Sequence, residues 1–494
     1  MTRSTLLRDQ GPGPSRKCGR DPDEAWRELC REFLPLSTAG SKWRFSRRVR
    51  PGDPEQGWKL HISATVLNAC EVLRIVGPVL RQRGILFKAP RSLHELVRIN
   101  CGLYYGHTQV GKFLTVYPPN DAEALFLATK LHDLTAGIQA PVIPFDSPFR
   151  TGSPVYYRYG AFRPMEIVNP DATRIPAIRD PCGELVPDTR DSAEPPPWVV
   201  DPFARPTHAS REEAASPLKT TFRAFKALSQ RGKGGVYQAV DLTVRPPRFC
   251  VVKEGRQAGE TNWDGRDGYW MILNEERVLR ALRGAGVDAP MIYSSFEVDG
   301  NYYLVTEFIE GHNLQAWLSK RKRRLPLKGA LTLAAQISHI ICQVHAVGWV
   351  WRDCKPANLM LTRNGVLRPV DFEGACPADK FDGLPWGTPP FAAPEWTRTS
   401  GNSRSEEDLY ALGAVVYFLL SGRTPDAAPA VPLEKLRPGV PPRTSGVVAQ
   451  LLSEEPRARP SAREAFEILS ESLWPHGDHR GILQTAWAAS DKPL

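Results

Sequence analysis

The sequence has no apolar run long enough to cross a membrane. Its longest, about ten residues from Ala411 to Leu420, is half of the roughly 20 that a helical span needs. Cysteine is sparse: nine in 494 residues, with no CxxC pair, which argues against a disulfide framework. No complete Cys/His set stands at zinc-ligand spacing, since no two cysteines lie within four residues of each other. Residues 1–20 lack the apolar core of a secretory signal. These absences predict a soluble, cytoplasmic protein with no membrane partner. A composition of 41% hydrophobic and 24% charged residues excludes disorder of the whole chain, and the length suits two to four domains. The formal charge of +10 is uneven, with twelve Lys/Arg against six Asp/Glu in residues 1–50 and a second cluster at Lys320–Arg324. Without aromatic interleaving or zinc spacing, these read as a solvated tail and loop, and no nucleic-acid partner is expected.

Proline and acidic residues crowd 181–217, where apolar periodicity fades, so a boundary falls there. The expected organisation is a disordered tail over 1–21, a first domain over 22–200, a linker over 201–220, a second domain over 221–474 and a tail over 475–494. In the second domain, Lys253 ends the apolar run Phe249–Lys253, as on a buried strand. The helical stretch Leu273–Leu279, about 22 residues on, offers Glu275 or Glu276 as its partner. Trp351-Arg352-Asp353-Cys354-Lys355-Pro356-Ala357-Asn358 precedes Asp371-Phe372-Glu373-Gly374, with Asp371 thirteen residues after Asn358. A carboxylate to take a hydroxyl proton, a lysine beside it, and an Asn plus a second Asp to hold Mg²⁺ on a nucleotide form a minimal kit for phosphoryl transfer.

These motifs resemble the protein kinase family over about 250 residues. The resemblance implies ATP, or another NTP, with Mg²⁺ as the one metal. Lys253 would hold the phosphates and pair with Glu275, and Thr306, Glu307 and Ile309 would form the adenine hinge. Asp353 would be the base beside Lys355, with Asn358 and Asp371 on the metal. Ala393-Pro394-Glu395 would close the activation segment, with Arg459 pairing Glu395 and Asp408 supporting the catalytic loop. The glycine loop, Ser229–Tyr237, keeps only its third glycine in register, leaving Gly234 and Val236 as its nucleotide contacts. Trp351 stands where the family has His, and Glu373 where it has Gly.

In the first domain, Gly57–Ala64 alternates strictly, placing Lys59, His61 and Ser63 on one strand face and Trp58, Leu60 and Ile62 on the other. Strand-like runs Gly111–Tyr117, Val155–Tyr159 and Leu86–Lys88 each carry one cation, Lys112, Arg158 and Lys88. Cations on apolar strands are costly unless paired or serving an anion, and together they suggest an anion site. The pattern resembles the phosphothreonine lyases, and more closely the lyase domain of class III and IV lanthipeptide synthetases, where a kinase follows. By that resemblance Lys59 is the base, His61 the acid, and Lys88, Lys112 and Arg158 bind phosphate, with Arg98 and Arg150 as weaker candidates.

The fold class expected is therefore α+β: a phosphothreonine lyase-like domain, then a bilobal kinase-like domain. The pairing implies a peptide dehydratase that phosphorylates Ser or Thr of a ribosomal precursor peptide, bound through its leader, and eliminates phosphate to give dehydroalanine or dehydrobutyrine. The cyclase domain usual in the family has no counterpart in the 20 residues after 474, so ring closure would fall to a separate enzyme or proceed unassisted, or the product would keep its dehydro residues for other tailoring. Two other readings are a regulatory Ser/Thr kinase with an N-terminal sensor or docking domain, and a nucleotide-binding pseudokinase scaffold.

Overall fold

The computed structural model describes residues 22–203, 217–380, 386–397, 405–425, 430–471 and 473. The expected tails and most of the expected linker lie outside the described residues. The chain divides into two compact units, one of residues 1–237, 253–270 and 297–303, the other of residues 238–252, 271–296 and 304–494.

In the first unit, β1 (Leu36–Ser37), β2 (Trp43–Phe45), β3 (Gln56–Ile62), β4 (Leu86–Pro90), β5 (Leu114–Tyr117), β6 (Ser147–Pro148) and β7 (Val155–Ala161) form one sheet in the order β1-β2-β4-β5-β3-β7-β6. Its neighbouring strands are antiparallel. Strand alternation sends Trp58, Leu60, Ile62, Phe87, Leu114 and Val116 into one core, shared with α1 (Pro22–Phe33), α2 (Ala69–Gln82) and α4 (Asp121–Thr135). That leaves the other face of the same strands for polar side chains. Helix starts are set locally. The Asn120 side chain accepts the Glu123 N–H to open α4, and Ser92 accepts that of Glu95 to open α3 (Leu93–Cys101). Helix α2 starts only at Ala69, because Thr65 and Asn68 first close a turn through reciprocal side-chain bonds.

Two expectations need correction. The strand anticipated over 111–117 begins at Leu114: Gly111 turns the chain at φ +76°, and Lys112 sits in that turn, its N–H donating to the Gln109 carbonyl. The proline-rich stretch is partly folded. After β8 (Glu166–Val168) and β9 (Arg174–Arg179), β10 (Leu185–Pro187) pairs with β9, Asp188 is buried, and Phe203 packs on Tyr157 and Trp58. It buries isolated residues rather than a face, so no periodicity marks it.

Past the short α5 (Pro217–Thr220), the strands β11 (Phe222–Arg231), β12 (Gly234–Asp241), β13 (Arg248–Gly255), β14 (Ile292–Val298) and β15 (Asn301–Glu307) form a sheet in the order β11-β12-β13-β15-β14, with α6 (Gly268–Gly284) following β13. The second unit continues into a mainly helical region built on α7 (Leu314–Ser319), the buried α8 (Leu327–Ala346) and α9 (Ser405–Ser421). Among the described residues, no helix is long and apolar enough to cross a membrane.

Candidate active sites

The polar face of the seven-stranded sheet gathers the cations. Lys59 lies opposite Arg158 across β3 and β7, and His61 and Lys88 both lie opposite Thr115 on β5. Directly paired residues share a face, so register alone brings these side chains together. Lys112 joins from its turn. All five line one cavity of about 320 Å³, with Tyr117, Arg163 and Arg190. Neither Arg98 nor Arg150 lines it. Arg98 bonds Glu95 and stacks on Tyr104, and Arg150 stacks on Phe149. Ser63, expected on the same face, lies beyond the strand end, and its hydroxyl donates to the Pro141 carbonyl.

Two buried carboxylates that sequence reasoning missed fix the arrangement. Asp146 accepts from His61 Nδ1 at 2.5 Å through one oxygen and pairs with Lys112 Nζ at 3.0 Å through the other. Asp188 accepts from Arg158 at 2.6 Å and lies 3.8 Å from Arg190. Arg190 stands in the segment read as a connection, where nothing in the pattern pointed to it. Electrostatics follow from this crowding. Burial first and the Arg158 charge next pull the Lys59 amine down to about 7. Burial and Arg190 pull Lys88 to about 8, and burial lowers Lys112 although Asp146 opposes it. Burial takes His61 down to about 4 against the pull of Asp146. The cavity thus offers near-neutral amines and guanidinium groups to one anion.

In the second unit, Asp353 is the hub of the catalytic loop. One carboxylate oxygen accepts from Lys355 Nζ at 2.7 Å and Asn358 Nδ2 at 2.9 Å. The other accepts from the Thr388 hydroxyl at 2.8 Å, which in turn accepts from Lys355 Nζ at 2.7 Å. Burial pushes the Asp353 carboxyl up, Lys355 opposes, and Asp371 adds to the rise. Thr388 is a further site residue that spacing did not reveal. Asn358 spends its amide N–H groups on Asp353, which leaves its oxygen as a ligand atom. Asp371 holds a left-handed φ of +67°, and oxygens of Glu275, Asp371 and Glu373 lie within 4.8 Å of one another. An all-oxygen donor set suits Mg²⁺.

Asp408 accepts the backbone N–H groups of Trp351 and Arg352 at 2.7 and 2.6 Å, and Arg459 forms a two-pronged pair with Glu395. Trp351 is fully buried, stacks on Phe372, and donates its indole N–H to the Asp371 carbonyl at 2.8 Å. It keeps a ring donor at the position where the kinase pattern has His. Glu275 is buried and accepts the Phe372 N–H at 3.2 Å. Glu307 gives its carboxylate to Arg368 at 2.6 and 2.9 Å, so any hinge role falls to its backbone. Thr306 and Ile309 are buried beside it in the chain. In the first unit, Lys253 lies near the end of β13. Gly234 takes φ +147°, where a Cβ would stand 1.8 Å from the Glu254 carbonyl oxygen; Val236 follows on β12.

Residues 36–215 match the family described as RamC, N-terminal domain, and residues 226–468 the protein kinase domain. The chain carries a RamC N-terminal domain followed by a protein kinase domain. It is 33% identical over 389 residues to the probable SapB synthase of Streptomyces coelicolor, a match that covers 75% of this chain and 41% of that protein. It is 28% identical to the serine/threonine-protein kinases PknA and PknL of Mycobacterium tuberculosis, over 51% and 45% of this chain and 56% and 55% of theirs. The chain thus spans less than half of the SapB synthase and a little over half of each kinase. The cation cavity and its strands lie in the RamC N-terminal domain, and Asp353, Asn358 and Asp371 in the protein kinase domain.

Proposed function

We propose that the chain is a two-step peptide dehydratase: its kinase domain (221–474) phosphorylates Ser or Thr of a ribosomal precursor peptide, and its RamC N-terminal domain (22–200) removes the phosphate to leave a dehydro residue in a lanthipeptide-type product. The observation that carries this reading is the convergence of Lys59, His61, Lys88, Lys112 and Arg158 on one cavity in the same chain as the Asp353 hub.

In the first step Asp353 accepts the proton of the substrate hydroxyl as its oxygen bonds to the γ-phosphorus of ATP and the bond to the β-phosphate bridge breaks. Lys355, bonded to Asp353 at 2.7 Å, would stabilise charge on the transferred group. Lys253, Gly234, Val236, Thr306, Glu307 and Ile309 are the nucleotide contacts that the kinase pattern assigns, and Glu275 is the acidic residue of that pattern. Bound Mg²⁺, held by Asn358 and Asp371, would neutralise phosphate charge.

In the second step the Lys59 amine takes the Cα proton, the electron pair forms the Cα–Cβ double bond, and the Cβ–O bond breaks to release phosphate. Lys88, Lys112 and Arg158 hold the phosphate, and His61 donates to its bridging oxygen. Burial holds the His61 imidazole down at about 4. A phosphate dianion works in the same direction as Asp146, opposing burial and favouring the protonated ring. Lys88 supports a second assignment of the base: its amine is also depressed, to about 8, and no carboxylate is among the causes of its shift.

The test is the intact mass of a precursor peptide incubated with the protein, ATP and Mg²⁺. Losses of about 18 Da per site report both steps, and persistent gains of about 80 Da report phosphorylation alone; the second result would leave a regulatory kinase.

A further inference from the structure

The turn between β11 and β12 is held on several sides within the first unit. The Gly232 N–H donates to the Cys101 carbonyl at the end of α3, at 3.1 Å. The backbones meet so closely that a Cβ on Gly232 would stand 1.6 Å from the Asn100 carbonyl oxygen. Glycine is therefore needed here for the approach of α3. From the other side the Lys233 carbonyl accepts the Arg256 N–H at 2.8 Å, and Arg231 pairs with Glu260 at 2.9 Å.

The contact does not end at α3. The Asn100 side chain is buried, donating to the Ala64 carbonyl at 3.0 Å and accepting the Gly111 N–H at 3.2 Å. Gly111 opens the turn that carries Lys112, Lys112 pairs with Asp146, and Asp146 holds His61. Hydrogen bonds and ion pairs, joined by the peptide links Asn100–Cys101 and Gly111–Lys112, thus connect the glycine-rich turn to the phosphate cavity.

In kinases a glycine-rich turn covers the nucleotide phosphates. A backbone N–H is one donor, and that of Gly232 is spent on Cys101. We propose that the β11–β12 turn is a joint between the two activities: nucleotide phosphates compete with the Cys101 carbonyl for the Gly232 N–H, so that nucleotide and phosphopeptide weaken each other's binding. This rests on the two-site reading above. It gives the two steps an order, because release of spent nucleotide favours the grip on the phosphorylated residue.

Linkage makes the proposal measurable, since a coupling between two sites acts equally on both ligands. The intact chain is titrated calorimetrically with a non-hydrolysable ATP analogue and Mg²⁺, with and without a saturating peptide containing α-methylphosphoserine. That residue has no α-proton and cannot be eliminated. The nucleotide Kd is expected to rise at least about five-fold and to level off, with the peptide Kd rising by the same factor in the reverse titration. Gly232→Ala, which forces α3 and the turn apart, is expected to abolish the shift. Both ligands binding with no mutual effect, or tightening each other, overturns the joint and leaves the two-site reading standing. A Kd that climbs with peptide without levelling off means competition for one cavity and also overturns it. Failure of either ligand to bind overturns the two-site reading and the joint with it. Should Gly232→Ala not fold, the wild-type titration decides alone.

Discussion

The two regions that the proposed function assigns to phosphate are built with opposite charge. Six basic side chains, Lys59, Lys88, Lys112, Arg158, Arg163 and Arg190, line the cavity of the RamC N-terminal domain, and among its described lining residues Glu166 is the one carboxylate. Around the kinase catalytic loop the excess is reversed, with Asp353, Asp371, Glu275 and Glu373 near one another and Lys355 among them. Burial first and neighbouring cations next depress the Lys59 and Lys88 amines of the cavity, which suits a bare dianion. Burial first, with Asp371 adding to it, raises the Asp353 carboxyl, and the surrounding carboxylates suit a phosphate that arrives with its metal. Under the proposed function one chemical group is handled twice and calls for two environments, each with a candidate base of the type its surroundings can tune.

The sharpest way to break the comparison is to disable one side alone. Asp353→Asn keeps the shape of the hub and removes the proton acceptor; phosphorylation is expected to fall about 10²–10⁴-fold. Elimination from a pre-formed phosphopeptide should persist at the wild-type rate. Loss of both activities in a folded variant would show that the regions do not work separately.

Lys59→Ala is the converse, with elimination slowed about 10²–10³-fold while phosphopeptide accumulates at +80 Da per site, about the mass of one HPO₃. The pH profile refines it. An amine base works deprotonated, so kcat/KM for elimination rises with pH through the pKa of the free base, near 7 for Lys59 or near 8 for Lys88. Full elimination by Lys59→Ala, with a midpoint near 8 that Lys88→Ala abolishes, would move the role of base to Lys88.

Much of both sites was legible because their residues sit at fixed spacings. Lys59 and His61 obey the two-residue period of a strand, and Asp353, Asn358 and Asp371 flank one short strand pair, Leu359–Thr362 and Leu367–Pro369. The groups that hold them were not. Asp146 lies 85 residues from His61 and Asp188 30 from Arg158, on irregular chain whose positions only the folded sheet determines. Thr388, 35 residues from Asp353, is hidden for the same reason. Lys112 was found for a strand it does not belong to: the cation was legible, the turn at Gly111 was not.

Asp146→Asn tests such a hidden group. It leaves His61 and Lys112 facing an amide, removing a charged hydrogen bond worth about 1.5–3 kcal/mol, and elimination should drop about 10–100-fold at the usual 1.4 kcal/mol per decade. The imidazole loses the partner that fixes its tautomer, so the rate loss should deepen with pH as the proton on His61 becomes scarcer. A uniform loss across pH, with weakened phosphopeptide binding, would assign Asp146 to Lys112 alone.

The smallest expected effect lies on the kinase side. Trp351→Phe keeps the stack on Phe372 and deletes the indole N–H that reaches the Asp371 carbonyl. Asp371 holds an uncommon left-handed backbone, which such bonds maintain. One neutral hydrogen bond contributes about 1 kcal/mol, so phosphorylation should slow about five-fold, with elimination unchanged. Because the deleted donor acts on the backbone of Asp371, the proposed metal ligand, the loss should shrink as Mg²⁺ is raised. A loss that ignores Mg²⁺ would instead assign Trp351 to packing of the loop, and the ring donor it shares with the histidine of the kinase pattern would have no part in placing Asp371.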